Sequence, residues 1–65
     1  MMKIKFGQLS VGDKCQNAFA VFEKLRDTWK GAGRAVVVSV KDAPNNELRP
    51  GMVCVYPKSK FTERA

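Results

Sequence analysis

The chain contains no histidine, so it lacks the side chain that most often acts as a general base near neutral pH. Its only cysteines are Cys15 and Cys54, and two thiols without imidazoles cannot supply the four ligands of a structural zinc site within one chain. Each cysteine lies among apolar residues, and we expect two free thiols that pack as small hydrophobic groups. A disulfide between them is the alternative.

Long hydrophobic runs are also lacking. Polar residues interrupt every apolar stretch within a few positions, far short of the roughly 20 residues that span a membrane. Residues 1–10 carry two lysines and no apolar segment of the length that a secretory signal needs. The sequence therefore predicts a cytoplasmic protein without a membrane partner.

The residue patterns of common catalytic sites are missing as well. None of the six carboxylates pairs with another at a spacing typical of a shared acid–base site, and no serine lies in a nucleophile elbow. Residues 31–34 (GAGR) resemble part of a phosphate-binding loop but lack the following Lys-Ser/Thr, which favours a turn before a strand. We therefore expect a protein that is not an enzyme and needs no cofactor.

Positive charge is what the chain has in excess. Twelve lysines and arginines face six acidic residues, which gives a net charge of +6 and a pI near 9.8. Such a field attracts nucleic acid, anionic membranes or acidic protein surfaces. With 65 residues, the chain forms one domain with a thin core, and dimerisation is a common way to support such a core. We place this domain at 1–57, followed by a polar tail at 58–65 with Phe61 as its only anchor.

Two segments predict strands that pair as antiparallel neighbours. Residues 34–41 are rich in β-branched side chains, and residues 52–56 form a second apolar run that Pro57 ends. Strict alternation predicts another strand at 2–6, with Ile4 and Phe6 directed inward. Turn signals lie at 12–13 and 49–51, and 42–46 has the composition of a loop.

Residues 17–30 fit two interpretations. Ala18, Val21, Phe22, Leu25 and Trp29 recur at helical spacing after a possible Asn17 N-cap, whereas the phenylalanines and Val21 favour a strand. The pattern leaves both structures open.

Basic residues interleave with aromatic ones in two places, an arrangement typical of single-stranded nucleic-acid binding by base stacking and phosphate contact. Four cations surround Trp29 in the sequence, and two lysines lie between Tyr56 and Phe61. The alternative is that Trp29 and Phe61 belong to the core. The predicted nucleic-acid site comprises Arg26, Trp29, Lys30, Arg34, Lys58 and Lys60.

Residues 6–15 (FGQLSVGDKC) and 21–25 (VFEKL) resemble small proteins encoded by tailed phages and prophages. Those proteins commonly begin with a Phe-x-x-Leu-x-Val-Gly-Asp-x-Phe pattern; Cys15 stands where the last aromatic residue usually lies. The resemblance implies a small curled β-sheet and, for a phage-encoded chain, location in the host cytoplasm.

Residues 36–42, 47–51 (ELRPG) and 53–56 are similar to the positive-cofactor family of single-stranded-DNA-binding proteins. That family has a curved antiparallel sheet, a Lys-Pro-Gly-like turn and a closing helix, and it dimerises. The resemblance implies that 26–30 and Arg34 form a basic face, and that a homodimer is possible; residues 58–65 are too few for the closing helix.

Together these observations predict a mainly β protein, a small curled antiparallel sheet or a Src-homology-3-like barrel of four or five strands. The alternative is an α+β domain with one helix at 17–30 on a small sheet. The predicted function is binding of single-stranded DNA or RNA. The alternative function is a phage accessory protein that binds an acidic surface of a host protein and modulates it.

Overall fold

The computed structural model describes residues 3–42 and 48–65. Six strands and one 3-10 turn at Phe6–Gln8 make up this part of the chain, which confirms the mainly β expectation. The strands are β1 (Lys3–Lys5), β2 (Lys14–Gln16), β3 (Ala20–Asp27), β4 (Ala32–Val40), β5 (Val53–Pro57) and β6 (Phe61–Arg64). No helix among the described residues is both long enough and apolar enough to cross a membrane.

The strands form one antiparallel sheet in the order β1-β6-β2-β3-β4-β5. In this order β5 lies four strand spacings from β6, about 19 Å in a flat sheet at roughly 4.8 Å per step. The connection 58–60 spans at most about 14 Å. The sheet must therefore curl until its two edges approach each other, but β1 and β5 do not pair, so the sheet stays open and is not a closed barrel.

Residues 20–27 form a strand, so the helix considered for 17–30 is wrong. Ala20, Phe22 and Lys24 are buried in alternation, and β3 pairs with β2 on one side and β4 on the other. The Asn17 side chain does accept two backbone N–H groups, from Phe19 at 2.8 Å and Ala20 at 3.0 Å, but it does so in the connection that leads into β3. Hydrogen bonds to the two neighbouring strands satisfy the backbone of β3, and these bonds outweigh the local helix propensity.

The two strands expected in the second half are present and pair as antiparallel neighbours. Arg49 accepts a hydrogen bond from the Met52 N–H at 3.1 Å, which confirms the turn predicted at 49–51. The loop predicted at 42–46 lies, except for Asp42, outside the described residues.

The segment 58–65 is not a tail, contrary to the domain boundary predicted at residue 57. Residues 61–64 form β6, which lies between β1 and β2. The alternation places Thr62 inward, where its hydroxyl donates to the Gln16 carbonyl at 2.9 Å, and places Phe61 outward. A threonine thus supplies the buried contact that the sequence predicts for Phe61.

The core lies on the concave face of the sheet. The fully buried Phe6 ring stacks on Tyr56 with 4.5 Å between centroids, and Phe22 meets Tyr56 edge-on at 5.8 Å. A side chain at Gly33 would place its Cβ 2.7 Å from Cε2 of Phe6, so only glycine lets the ring approach β4 this closely. Phe6 thus fills the space between the two edges of the curled sheet.

Lys24 is buried in this core, with 2% of its surface exposed. Its Nζ donates to the carbonyls of Leu9 at 2.7 Å and Phe6 at 3.3 Å, and it forms an ion pair with Asp27 Oδ1 at 2.9 Å. These contacts use all three ammonium donors. The cation also lies 5.0 Å from the centroid of the Phe6 ring. Lys24 therefore ties the 6–9 segment to β3.

Replacing Lys24 with methionine is expected to lower the free energy of unfolding by about 1–3 kcal/mol, because the buried Leu9 carbonyl loses its donor and the Phe6 carbonyl keeps only the Leu9 N–H. Urea denaturation followed by circular dichroism measures the change. Lys14→Met, at an exposed position of β2, is the matched control and should stay within about 0.5 kcal/mol of the wild type. Equal midpoints for Lys24→Met and the wild type would contradict this role.

The same ion pair makes stability depend on pH. The hydrogen bond from Lys24 holds the pKa of Asp27 below its ordinary value of 3.8, against the opposing effect of desolvation. A lowered pKa in the folded state adds stability above the unfolded pKa, and this stability is lost as pH falls through the folded value. When the pH is lowered from neutral to below about 4, the melting temperature of Asp27→Asn should therefore fall less than that of the wild type. Parallel pH profiles for the two proteins would refute the assignment.

The two thiols are free, as expected, but they differ in exposure. Cys15 is buried, and burial raises the pKa of its thiol, although a hydrogen bond with Thr62 acts in the opposite direction. Since the thiolate is the reactive form, a thiol reagent should label Cys54 in the native protein and Cys15 only after unfolding. Cys54→Ser should then show almost no native labelling; fast labelling of that variant would contradict the burial of Cys15.

Candidate nucleic-acid interface

The six predicted binding residues lie on two turns and the strand ends beside them. The β3–β4 hairpin, residues 28–31, meets the turn that follows β5, because the Lys58 N–H donates to the Gly31 carbonyl at 3.0 Å. The register continues this contact, with Ala32 opposite Pro57. Two segments that are almost 30 residues apart in the sequence therefore lie side by side, and we call the predicted residues on them the basic surface. It consists of Arg26, Trp29, Lys30, Arg34, Lys58 and Lys60.

Trp29 lies in the hairpin turn with 65% of its surface exposed, so the core interpretation of this residue is wrong. The turn closes with a hydrogen bond from the Ala32 N–H to the Trp29 carbonyl at 3.1 Å. Gly31, the third residue of this turn, has φ +86°, a conformation that residues with side chains rarely adopt. Of the two glycines in the GAGR motif, Gly31 thus forms the turn that the sequence predicts, and Gly33 makes room for the ring of Phe6. The indole is left free to meet a ligand.

Arg26 and Arg34 lie directly opposite each other on β3 and β4. Side chains at such positions share a face of the sheet, and like charges placed there destabilise the pair. Arg34 is half-buried, and its Nε is buried without a hydrogen-bond partner among the described residues. An unsatisfied buried donor costs about 1–3 kcal/mol. An anion held between the two guanidinium groups would relieve their repulsion.

Lys58 and Lys60 hold the neighbouring turn against the rest of the fold. The carbonyl of Lys58 accepts from the Gly7 N–H at 2.9 Å, and that of Lys60 accepts from the Phe6 N–H at 3.0 Å. Lys58 lies close enough to Asp27 to help lower the pKa of that carboxyl group. The Lys60 ammonium is exposed and lies 5.7 Å from the centroid of the Tyr56 ring. Both lysines thus add positive charge beside the hairpin.

Lys24, which the sequence places in the cluster around Trp29, does not belong to this surface. It points into the core, where its ammonium neutralises Asp27. The strand period explains the difference, since alternate residues of β3 face opposite sides until the irregularity between Lys24 and Arg26. Of the four cations around Trp29 in the sequence, only the three that follow this irregularity remain available to a ligand.

The sequence leaves Phe61 open between a stacking role and a core role, and it gives no sign of the cation that lies beside this ring. Phe61 is 58% exposed, and the Nζ of Lys5 lies 5.7 Å from the centroid of its ring. The two residues are partners across β1 and β6. The outward position of Lys5 follows from the alternation in β1, but its pairing with residue 61 depends on the position of β6 in the sheet.

Ion pairs neutralise little of this charge. Among residues 3–42 and 48–65 there are two, Lys24 with Asp27 and Arg64 with Asp13. Neither involves a cation of the basic surface. Within the same residues no three potential metal-binding side chains cluster. A polar groove of about 320 Å³, which Lys41 and Glu63 help to line, includes no residue of the basic surface.

Comparison with known proteins adds no family assignment. No model of a protein family matches the chain, and searches of curated proteins and of solved structures likewise returned no match.

Proposed function

We propose that this protein binds single-stranded DNA or RNA through the basic surface, acts in the cytoplasm and catalyses no reaction. The observation that carries the proposal is an exposed tryptophan on a hairpin whose two strands bear opposed arginines. Trp29 offers a flat apolar surface to a base, and Arg26 and Arg34 offer donors to a phosphate. These are the two components of sequence-tolerant single-strand recognition.

The arginine pair supports an anionic ligand in particular. Arg34 and Arg26 lie opposite each other on neighbouring strands and offer two guanidinium groups to one phosphate. Arginine presents its donors in a planar fork that matches phosphate geometry. Lys30, Lys58 and Lys60 add point charges that attract a backbone over a distance of about 10 Å.

Stacking on Trp29 favours a single strand over a duplex. The faces of paired bases are covered by their neighbours in a duplex, whereas an unpaired base can leave the stack and lie against an indole. A stacked base contributes roughly 1–3 kcal/mol. The similarity of the second half to single-stranded-DNA-binding proteins leads to the same ligand class, and the similarity of the first half to phage-encoded proteins suggests a phage origin.

Short single-stranded DNA and RNA should quench the fluorescence of Trp29, the single tryptophan, at low salt. Arg26→Gln/Arg34→Gln should weaken binding by about 100-fold or more, since each of the two lost hydrogen bonds to a charged group contributes about 1.5–3 kcal/mol. The slope of log affinity against log salt should fall by about 1.4, at roughly 0.7 per phosphate contact. The matched control is Lys41→Gln/Arg49→Gln, which removes the same charge at exposed positions outside the basic surface. If both double variants weaken binding equally, net charge and not this surface binds the ligand.

Trp29→Ala separates a contact role from a structural one. With a fluorescently labelled oligonucleotide, this variant should lose binding while its melting temperature stays the same, because the indole is largely exposed. Absence of any quench in the wild type at low salt would overturn the proposal. A protein that stays bound in a pull-down after nuclease treatment, while oligonucleotides fail to bind, would instead support an accessory protein acting on a host protein.

A further inference from the structure

The second exposed aromatic residue, Phe61, has the same chemistry as Trp29. Its ring is 58% exposed although it begins a strand at an interior position of the sheet, and Lys5 holds an ammonium 5.7 Å from its centroid. Exposing an aromatic ring to water loses the free energy that its burial would add to folding. No contact of the described core needs this ring, because Thr62 makes the buried contact of β6.

A continuous set of contacts connects Phe61 with Trp29. The hairpin carbonyl of Gly31 bonds to Lys58, whose own carbonyl bonds to Gly7. Lys60 bonds through its carbonyl to Phe6, the residue that follows Lys5. The backbone of residues 58–60 therefore lies between the Trp29 hairpin and the segment that carries Lys5, the partner of Phe61. This row of backbone contacts leads from one exposed aromatic residue to the other.

The length of this row sets the size of a ligand that reaches both rings. Trp29 is two residues from Gly31, Phe61 is three residues from Lys58, and the hydrogen bond between Gly31 and Lys58 adds one strand spacing, so the two Cα atoms are at most about 24 Å apart. A stacked strand rises about 3.4 Å per nucleotide, so a strand of about seven nucleotides is long enough to cover this distance. Small single-strand-binding domains occupy sites of about 4–16 nucleotides.

We propose that Phe61 and Lys5 form a second base-stacking position of the same site, so that the preferred ligand is a single strand long enough to reach from Trp29 to Phe61. This inference rests on the proposed function. Lysines 58 and 60 bind the phosphates between the two stacked bases. The ligand follows the solvent-facing side of the turn 58–60.

The test compares a thymidine trimer with a thymidine decamer on the full chain, with Trp29 fluorescence as the readout. Phe61→Ala should lower the affinity for the decamer by about 5- to 150-fold, the effect of losing one stacked base, and should leave the affinity of the trimer for the Trp29 position unchanged. Phe61→Leu keeps an apolar side chain without the ring and should lose the same affinity. Circular dichroism melts establish that both variants are folded.

Phe19→Ala is the matched control. Phe19 is 45% exposed and its carbonyl accepts from the Lys41 N–H at 2.8 Å, but it lies outside the row of contacts, at the opposite end of β3 from the hairpin. This variant should bind the decamer as the wild type does. If the folded Phe61 variants bind the decamer as tightly as the wild type, or if Phe19→Ala loses as much affinity, the second position does not exist while the proposed function stands. If no oligonucleotide quenches Trp29 in the wild type, the proposed function itself is wrong.

Discussion

The ammonium group of Lys24 lies in the core of a 65-residue protein, and the arrangement of the first half of the chain depends on its three bonds. Removing an ammonium ion from water costs on the order of several kcal/mol unless its donors find partners. Leu9, Phe6 and Asp27 supply all of them. The main chain of Lys24 adds two further bonds, from its N–H to the Asp13 carbonyl and from the Gly12 N–H to its carbonyl. The segment before β2 is thereby held against β3, and Phe6 is held in the curled sheet.

The curl of the sheet brings together parts of the surface that the chain separates. Because the turn 58–60 is short, β5 and β6 can be joined only if the sheet bends, and the bend places this turn against the β3–β4 hairpin. Cations from both turns then lie beside Trp29. The ion pair of Lys24 contributes indirectly, since it neutralises Asp27, the carboxylate nearest to the hairpin, and leaves the positive charge of the surface unopposed.

Much of the candidate site followed from composition and local pattern. Arg26, Trp29, Lys30 and Arg34 are close in the sequence, and a hairpin keeps them close in space. Two positions do not follow from the same pattern, for a physical reason. The sequence places Lys24 among the four cations around Trp29, and neither its burial nor its pairing with Asp27 leaves a local signal. Hydrophobicity predicts Phe61 as an anchor of the core, but it does not reveal the direction of a side chain. The alternation of side chains along each strand, together with the strands that lie beside it, decides both positions.

The sequence by itself determined the excess of positive charge, the absence of histidine chemistry, the strands at 34–41 and 52–56, and the turn at 49–51. Each of these depends on residue identity or on contacts between near neighbours, such as the stiffness of β-branched side chains or the conformational freedom of glycine. Only the tertiary structure decided that 20–27 is a strand, that 61–64 lies between β1 and β2, and that Phe61 faces solvent beside Lys5. Those outcomes depend on hydrogen bonds between strands distant in the sequence, and no short window of residues contains both partners.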